Sequence, residues 1–151
     1  MLYNLVKWIH ILAAIVAVGA NATYGLWLAR ASRSPEVLPF TLKTIKVLDD
    51  RMANPAYGLL LLSGLTMVFL GNWPLSSSWL DIALVLYVIA VLLGLLGYSP
   101  TLRRQIRAAE TTGPASPEYA ALARRGTLLG IILAVVVVII ELIMVTKPQL
   151  W

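Results

Sequence analysis

Four ionisable side chains fall within or beside the apolar stretches of this 151-residue sequence, and they are the residues that could do chemistry. Lys7 and His10 lie early in the first stretch, Asp81 opens the third, and Glu141 lies near the end of the fourth. Burying such a group at the centre of a membrane helix costs roughly 2.5–3.5 kcal/mol, so it is expected to have a partner or a ligand. All four should share the outer third of the membrane.

Two chemistries are open to this outer polar cluster of Lys7, His10, Asp81 and Glu141. The first is a hydrogen bond or ion pair between His10 and Glu141 that fixes helix register. The second is a ligand site, because an imidazole binds haem iron and, together with two carboxylates, other metal ions. His10 is the only histidine, so bis-histidine haem b would need a second chain. Asp81 and Lys7 also have purely structural explanations. A carboxylate in the first turn of a helix interacts favourably with the helix dipole, and a lysine near a helix end can extend its ammonium to the lipid headgroups.

The composition excludes a soluble domain. Hydrophobic residues make up 60% of the sequence and charged residues 13%, whereas soluble domains are about 25% charged. The charges separate apolar stretches close to the roughly 20 residues that a bilayer-spanning helix needs. The run 131–140 is apolar at every position, which excludes the alternating strands of a membrane β-barrel. The net charge of +5 lies around these stretches, which indicates membrane anchoring and not nucleic-acid binding.

We therefore predict an all-α fold: a polytopic membrane protein with a four-transmembrane-helix bundle in a single domain, 1–151. The predicted spans cover about 3–29, 55–70, 79–98 and 118–146. An amphipathic helix over about 40–53 should lie on, or lean out of, the cytoplasmic membrane surface before the second span.

Prolines are expected to shape two of the spans. Pro55 opens the second span, which is short for a bilayer-spanning helix. Either this helix continues back through 51–54 with a kink at Pro55, or the bilayer is thin around it. Pro100 is expected to break the third helix.

The positions of the basic residues predict the orientation. The fourth helix starts near Glu118 but should enter the membrane only around Gly126, so every Lys and Arg except Lys7 and Lys147 lies in the first or third connection between membrane crossings. Connections rich in Lys and Arg stay in the cytoplasm. The protein should therefore lie in the bacterial inner membrane with both termini on the non-cytoplasmic side.

Small residues recur at three- and four-residue steps, which lets membrane helices approach closely. These candidate packing positions are Ala14, Ala17 and Asn21 on the first helix, Gly58 on the second, and Gly126 and Gly130 on the fourth. The helix face that carries Gly126 could pack on the first helix inside the bundle or on a neighbouring molecule outside it. Because Glu141 lies on the same face, packing inside the bundle is favoured. We expect a homo-oligomer or docking into a larger membrane complex.

Several short motifs in a fixed order support a family resemblance. They occupy 7–12, 50–55, 63–64, 98–100 and 143–148, and read KWIHIL, DRMANP, SG, YSP and IMVTKP. The chain resembles a family of small bacterial four-helix proteins, known as predicted integral membrane proteins with a domain of unknown function. It is more distantly similar to copper-resistance D-type proteins and HemJ-type oxidases.

Resemblance to the HemJ-type proteins implies haem and a functional histidine in the first helix, for which His10 is the counterpart. Their intramembrane lysine has no counterpart, because no lysine lies deep in a later helix here. The sequence carries no catalytic signature and no cysteine. A non-catalytic scaffold or accessory subunit of a membrane complex is therefore the favoured function, and a haem-binding or redox-linked protein using His10 is the alternative.

Overall fold

A computed structural model describes residues 1–149, which form α-helices, two short π-helical stretches and no strand. The α-helices are α1 (Leu2–Ala31), α2 (Leu38–Leu48), α3 (Asn54–Leu70), α4 (Ser78–Leu92), α5 (Ser99–Thr111) and α6 (Pro117–Thr146). The π-helical stretch Asp49–Ala53 joins α2 to α3, and Leu93–Tyr98 joins α4 to α5. The predicted all-α fold is confirmed.

These elements make four continuous helices that are long and apolar enough to cross a membrane. They cover Leu2–Ala31, Leu38–Leu70, Ser78–Thr111 and Pro117–Thr146. At about 1.5 Å per residue, 30 to 34 residues span about 45–50 Å. A hydrocarbon core of about 30 Å is shorter than that, so each helix extends beyond the core.

The two prolines do not end their helices. Pro55 and Pro100 each occupy the second residue of an α-helix that directly follows a π-helical stretch. A proline inside a helix lacks the N–H donor and clashes with the carbonyl four residues earlier. A π turn shifts the hydrogen-bond register at that point, so the helix can continue past the proline. The prediction that Pro100 breaks the third helix is therefore wrong. The amphipathic helix α2 runs through Asp49–Ala53 into α3, so it continues the second span and does not stop at Pro55.

Most of the fully buried side chains lie at one end of the bundle, which we call the basic end (residues 30–53 and 99–125). Leu42, Ile45 and Leu102 are at most 2% exposed and pack in one cluster with residues of α1, α2 and α5. An ion pair between Lys43 and Glu110 joins α2 to α5 on the outside of this cluster. The tightest packing therefore lies around the ends of the apolar segments and not at their centres.

The opposite end holds Met1, the turn 71–77 and residues 147–149, and we call it the terminal end. The ammonium of Lys147 lies 4.5 Å from the centre of the Trp73 ring and 5.3 Å from that of Trp79. The Ser78 hydroxyl donates to the Pro148 carbonyl at 3.0 Å. These cation–π and hydrogen-bond contacts fasten the end of α6 to the start of α4.

Between the two ends the helices pack chiefly as two pairs. α1 packs mainly on α3, and α4 packs mainly on α6, while α1 and α6 touch only briefly. The most apolar 18-residue stretch of α6 contains no buried residue. The centre of the bundle therefore leaves large apolar faces uncovered by the chain itself.

Candidate functional site

His10 lies between α1 and α3, where its imidazole packs against the backbone of Gly64. A Cβ atom at Gly64 would lie only 3.2 Å from His10 Cε1, so glycine makes room for the ring. His10 Nδ1 is 2.9 Å from the Ser63 hydroxyl oxygen. That hydroxyl donates to the Leu59 carbonyl at 2.6 Å. In the tautomer with the proton on Nδ1, His10 donates to the Ser63 oxygen and the lone pair lies on Nε2.

The other three members of the outer polar cluster do not join His10. Lys7 is exposed, while Asp81 and Glu141 are partly exposed. Within residues 1–149 the ion pairs are those of Lys43 with Glu110 and Lys46 with Asp50, so none links this cluster. Asp81 lies in the first turn of α4, where a carboxylate interacts favourably with the helix dipole.

The predicted contact between His10 and Glu141 is not among the hydrogen bonds of the described residues. α1 packs on α3 at the height of His10, which brings Ser63 to the imidazole. α6 packs on the third long helix, through both α4 and α5, and touches α1 only briefly. Shared depth in the membrane is thus not enough to pair two residues, because helix neighbours decide which side chains meet.

A hydrogen-bonded group on three helices, the Tyr57 network of Asn21, Tyr57 and Tyr87, links the two helix pairs. The Asn21 side-chain amide donates to the Tyr57 hydroxyl at 2.6 Å. The Tyr87 hydroxyl donates to the backbone carbonyl of Tyr57 at 2.8 Å. The network therefore ties α1 to α3 and α3 to α4 through polar bonds inside the membrane segment.

Sequence reasoning missed the Tyr57 network, although it placed Asn21 on a packing face. The available signal was Tyr87, which lies inside an apolar run and away from the span ends, where tyrosine usually lies. A buried phenol needs a hydrogen-bond partner, so a tyrosine in the middle of a span indicates a polar contact between helices.

Sequence reasoning also missed a buried carboxylate at the basic end. Asp49 is 7% exposed, and the side-chain amide of Asn54 donates to it at 3.4 Å. The nearby Tyr24 hydroxyl is buried and has no hydrogen-bond partner among the described residues. The π-helical stretch brings Asp49 and Asn54 together, because it allows a contact five residues apart along the chain.

The small residues predicted to pack have different environments. Ala17 is fully buried, Ala14 is partly buried, and Gly126 is buried with its Cα facing Gln105 and Thr101 of α5. A Cβ at Gly130 would lie 3.8 Å from the Tyr98 ring. The Gly126 face therefore packs inside the bundle, on the third long helix and not on the first. Gly58 is exposed, and nothing lies within 4 Å of where its Cβ would be.

Residues 1–149 contain no group of three His, Cys, Asp or Glu side chains placed to hold a metal ion. A groove of about 240 Å³ runs between α1 and α3. Its lining is apolar and consists of Ile9, Leu12, Ala13, Val16, Ala56 and Leu59. In the tautomer with the proton on Nδ1, the Nε2 lone pair is the nitrogen with which His10 would bind a metal ion or haem iron.

Four long apolar helices joined by polar contacts define a multi-pass integral membrane protein. The chain belongs to the family described as predicted integral membrane protein (DUF2269), whose sequence profile matches residues 4–148. The family resemblance found in the short motifs is thereby confirmed. No curated protein and no solved structure matches the chain.

Proposed function

We propose that the protein is a non-catalytic scaffold or accessory subunit that assembles through its membrane helices, in the first place with a second copy of itself. The observation that carries this proposal is the exposure of α6. Gly126 is its only buried residue, although the helix is 30 residues long. The outward face of α6 is therefore open to lipid or to another helix along the apolar part of its length.

The surface proposed for assembly is the exposed α6 face, defined as Ile131, Val135, Val138, Leu142 and Val145. Each of these side chains is at least 53% exposed. Their spacing of four and three residues is that of a helix–helix seam, in which two copies can interdigitate. A two-fold dimer needs a self-complementary surface, and a single helix face of this kind meets that need.

The polar groups between the spans support a structural role. In the Tyr57 network, the hydrogen-bond donors of Asn21 and Tyr87 are directed at atoms of Tyr57. The His10 imidazole is likewise held by Ser63. Groups that bond one another in this way hold helices in register.

Disulfide crosslinking tests the assembly, because the natural chain has no cysteine. Val138→Cys on the exposed α6 face should give a disulfide-linked dimer when membranes are treated with an oxidant. Leu62→Cys is the matched control, since Leu62 is 66% exposed within a span but lies on α3. Dimers from Val138→Cys and not from Leu62→Cys would support the proposal. Equal yields from both variants, or dimers from neither, would exclude a second copy on this face.

We further propose that the membrane is the bacterial inner membrane and that the basic end faces the cytoplasm. The support is the charge distribution, because the second connection, 71–77, carries no Lys or Arg while the basic end carries ten of the twelve. This bias is typical of cytoplasmic connections. Both termini would then lie on the non-cytoplasmic side.

A second candidate, a haem b-binding or redox-linked membrane protein, is favoured by one observation at His10. Its Nδ1–H is held by Ser63, and this type of bond to the far ring nitrogen is usual for metal-binding histidines because it presents Nε2 as the ligand. Protein purified from haem-supplied cells should then show a Soret band that His10→Ala removes. A colourless preparation, or a band that survives His10→Ala, would exclude this candidate.

A further inference from the structure

Five arginines on two neighbouring helices form a basic surface, which we call the arginine belt. Its members are Arg103, Arg104 and Arg107 on α5, and Arg124 and Arg125 on α6. All five are exposed. Within residues 1–149 both ion pairs use lysines, Lys43 and Lys46, so no belt arginine is neutralised by a carboxylate.

The five arginines lie close to one height along the bundle. A Cβ at Gly126 of α6 would lie 3.3 Å from the Gln105 side chain and 3.8 Å from that of Thr101, so Gly126 is level with the stretch 101–105 of α5. Arg103 and Arg104 lie in that stretch and Arg107 lies two residues beyond it, while Arg124 and Arg125 lie within two residues of Gly126. With a rise of about 1.5 Å per residue, the five Cα atoms lie within about 6 Å of the middle of that stretch.

This height coincides with the edge of the apolar segments. On α6 no charged residue occurs between Arg125 and Glu141. On the third long helix none occurs between Asp81 and Arg103. The belt therefore begins at the residue where each uncharged stretch ends, which is the position of lipid headgroups next to a spanning helix.

We infer that the arginine belt binds anionic phospholipids of the adjoining leaflet. A guanidinium presents paired N–H donors that match phosphate oxygens, and several at one height can engage neighbouring headgroups together. Acidic neighbours do not cancel the charge, because Glu110 is paired with Lys43 on α2 and Glu118 lies in the first turn of α6. Clusters of four or more basic residues next to a span are the surfaces that attract anionic lipids.

Native mass spectrometry of the detergent-purified chain can compare added dioleoyl phosphatidylglycerol with dioleoyl phosphatidylcholine. The wild-type protein should retain the anionic lipid at least about tenfold more tightly. Arg104→Gln/Arg107→Gln should lose most of this preference without a change in unfolding temperature, since both side chains are exposed. Arg30→Gln/Arg33→Gln removes the same formal charge from two exposed arginines outside the belt, and it should keep the preference.

Two results would overturn the inference: equal retention of the two lipids by the wild-type protein, or equal loss of preference in the two double variants. The second would assign the effect to overall charge. A variant-free measurement provides an independent check. Lipids that remain with wild-type protein purified from membranes should be enriched in anionic species relative to the total lipid extract. Bound lipid with the bulk composition would contradict the belt as a binding surface.

Discussion

Leu42→Ala should lower the free energy of unfolding by about 2–5 kcal/mol, which is the usual range for removing a fully buried leucine. Leu42 is 0% exposed and lies in the cluster at the basic end, where α1, α2 and α5 meet. The deleted methyl groups would leave a cavity that neither lipid nor water can fill well. Reversible unfolding of the purified protein in mixed micelles measures the change.

The matched control for this prediction is Leu62→Ala. Leu62 is 66% exposed within the second span, so lipid or detergent can occupy the space that the shorter side chain leaves. We expect a loss below about 1 kcal/mol there, because little burial inside the protein is removed. If Leu62→Ala destabilised the protein as much as Leu42→Ala, the tightest packing would lie in the membrane and not at the basic end.

Gly126→Leu should destabilise the protein by about 1–3 kcal/mol, because overpacking a tight contact forces neighbouring side chains and backbone to move. Gly126 is buried, and even a Cβ there would lie 3.3 Å from the Gln105 side chain and 3.8 Å from Thr101. The larger leucine would push α6 away from α5. Thermal unfolding followed by circular dichroism measures the effect.

Gly58→Leu is the control with the same change of side chain in the second span. Nothing lies within 4 Å of the position that its Cβ would take, so we expect almost no loss of stability. The opposite order, with Gly58→Leu the more damaging variant, would show that α3 packs on its neighbours at Gly58 and that α5 and α6 are held elsewhere.

The fold class followed from the sequence because membrane insertion imposes a strong constraint on it. An apolar run such as 131–140 has only one low-energy structure in lipid, a helix whose backbone bonds are internal. The course of the helix around Pro100 did not follow, since proline usually ends a helix. Only the structure reveals the π-helical stretch Leu93–Tyr98 that lets the helix continue.

The contacts of the candidate site were predicted less well, because the sequence does not show which helices are adjacent. The sequence placed His10 and Glu141 at one depth, but depth does not say which helices are adjacent. Once α1 packs on α3, the Ser63 hydroxyl meets the His10 imidazole, and a small uncharged side chain of this kind gives little signal in an apolar sequence. Asn21, which the sequence predicts to lie on a packing face of the first helix, donates to the Tyr57 hydroxyl.

Thiol labelling of single-cysteine variants in intact cells with a membrane-impermeant reagent tests the number of spans and their orientation. Glu36→Cys and Ala115→Cys place exposed thiols at the basic end, and Ser76→Cys places one in the turn at the terminal end. With the basic end in the cytoplasm, Ser76→Cys should be labelled in intact cells and the other two variants only after lysis. Labelling of Glu36→Cys or Ala115→Cys in intact cells would contradict four spans with a cytoplasmic basic end.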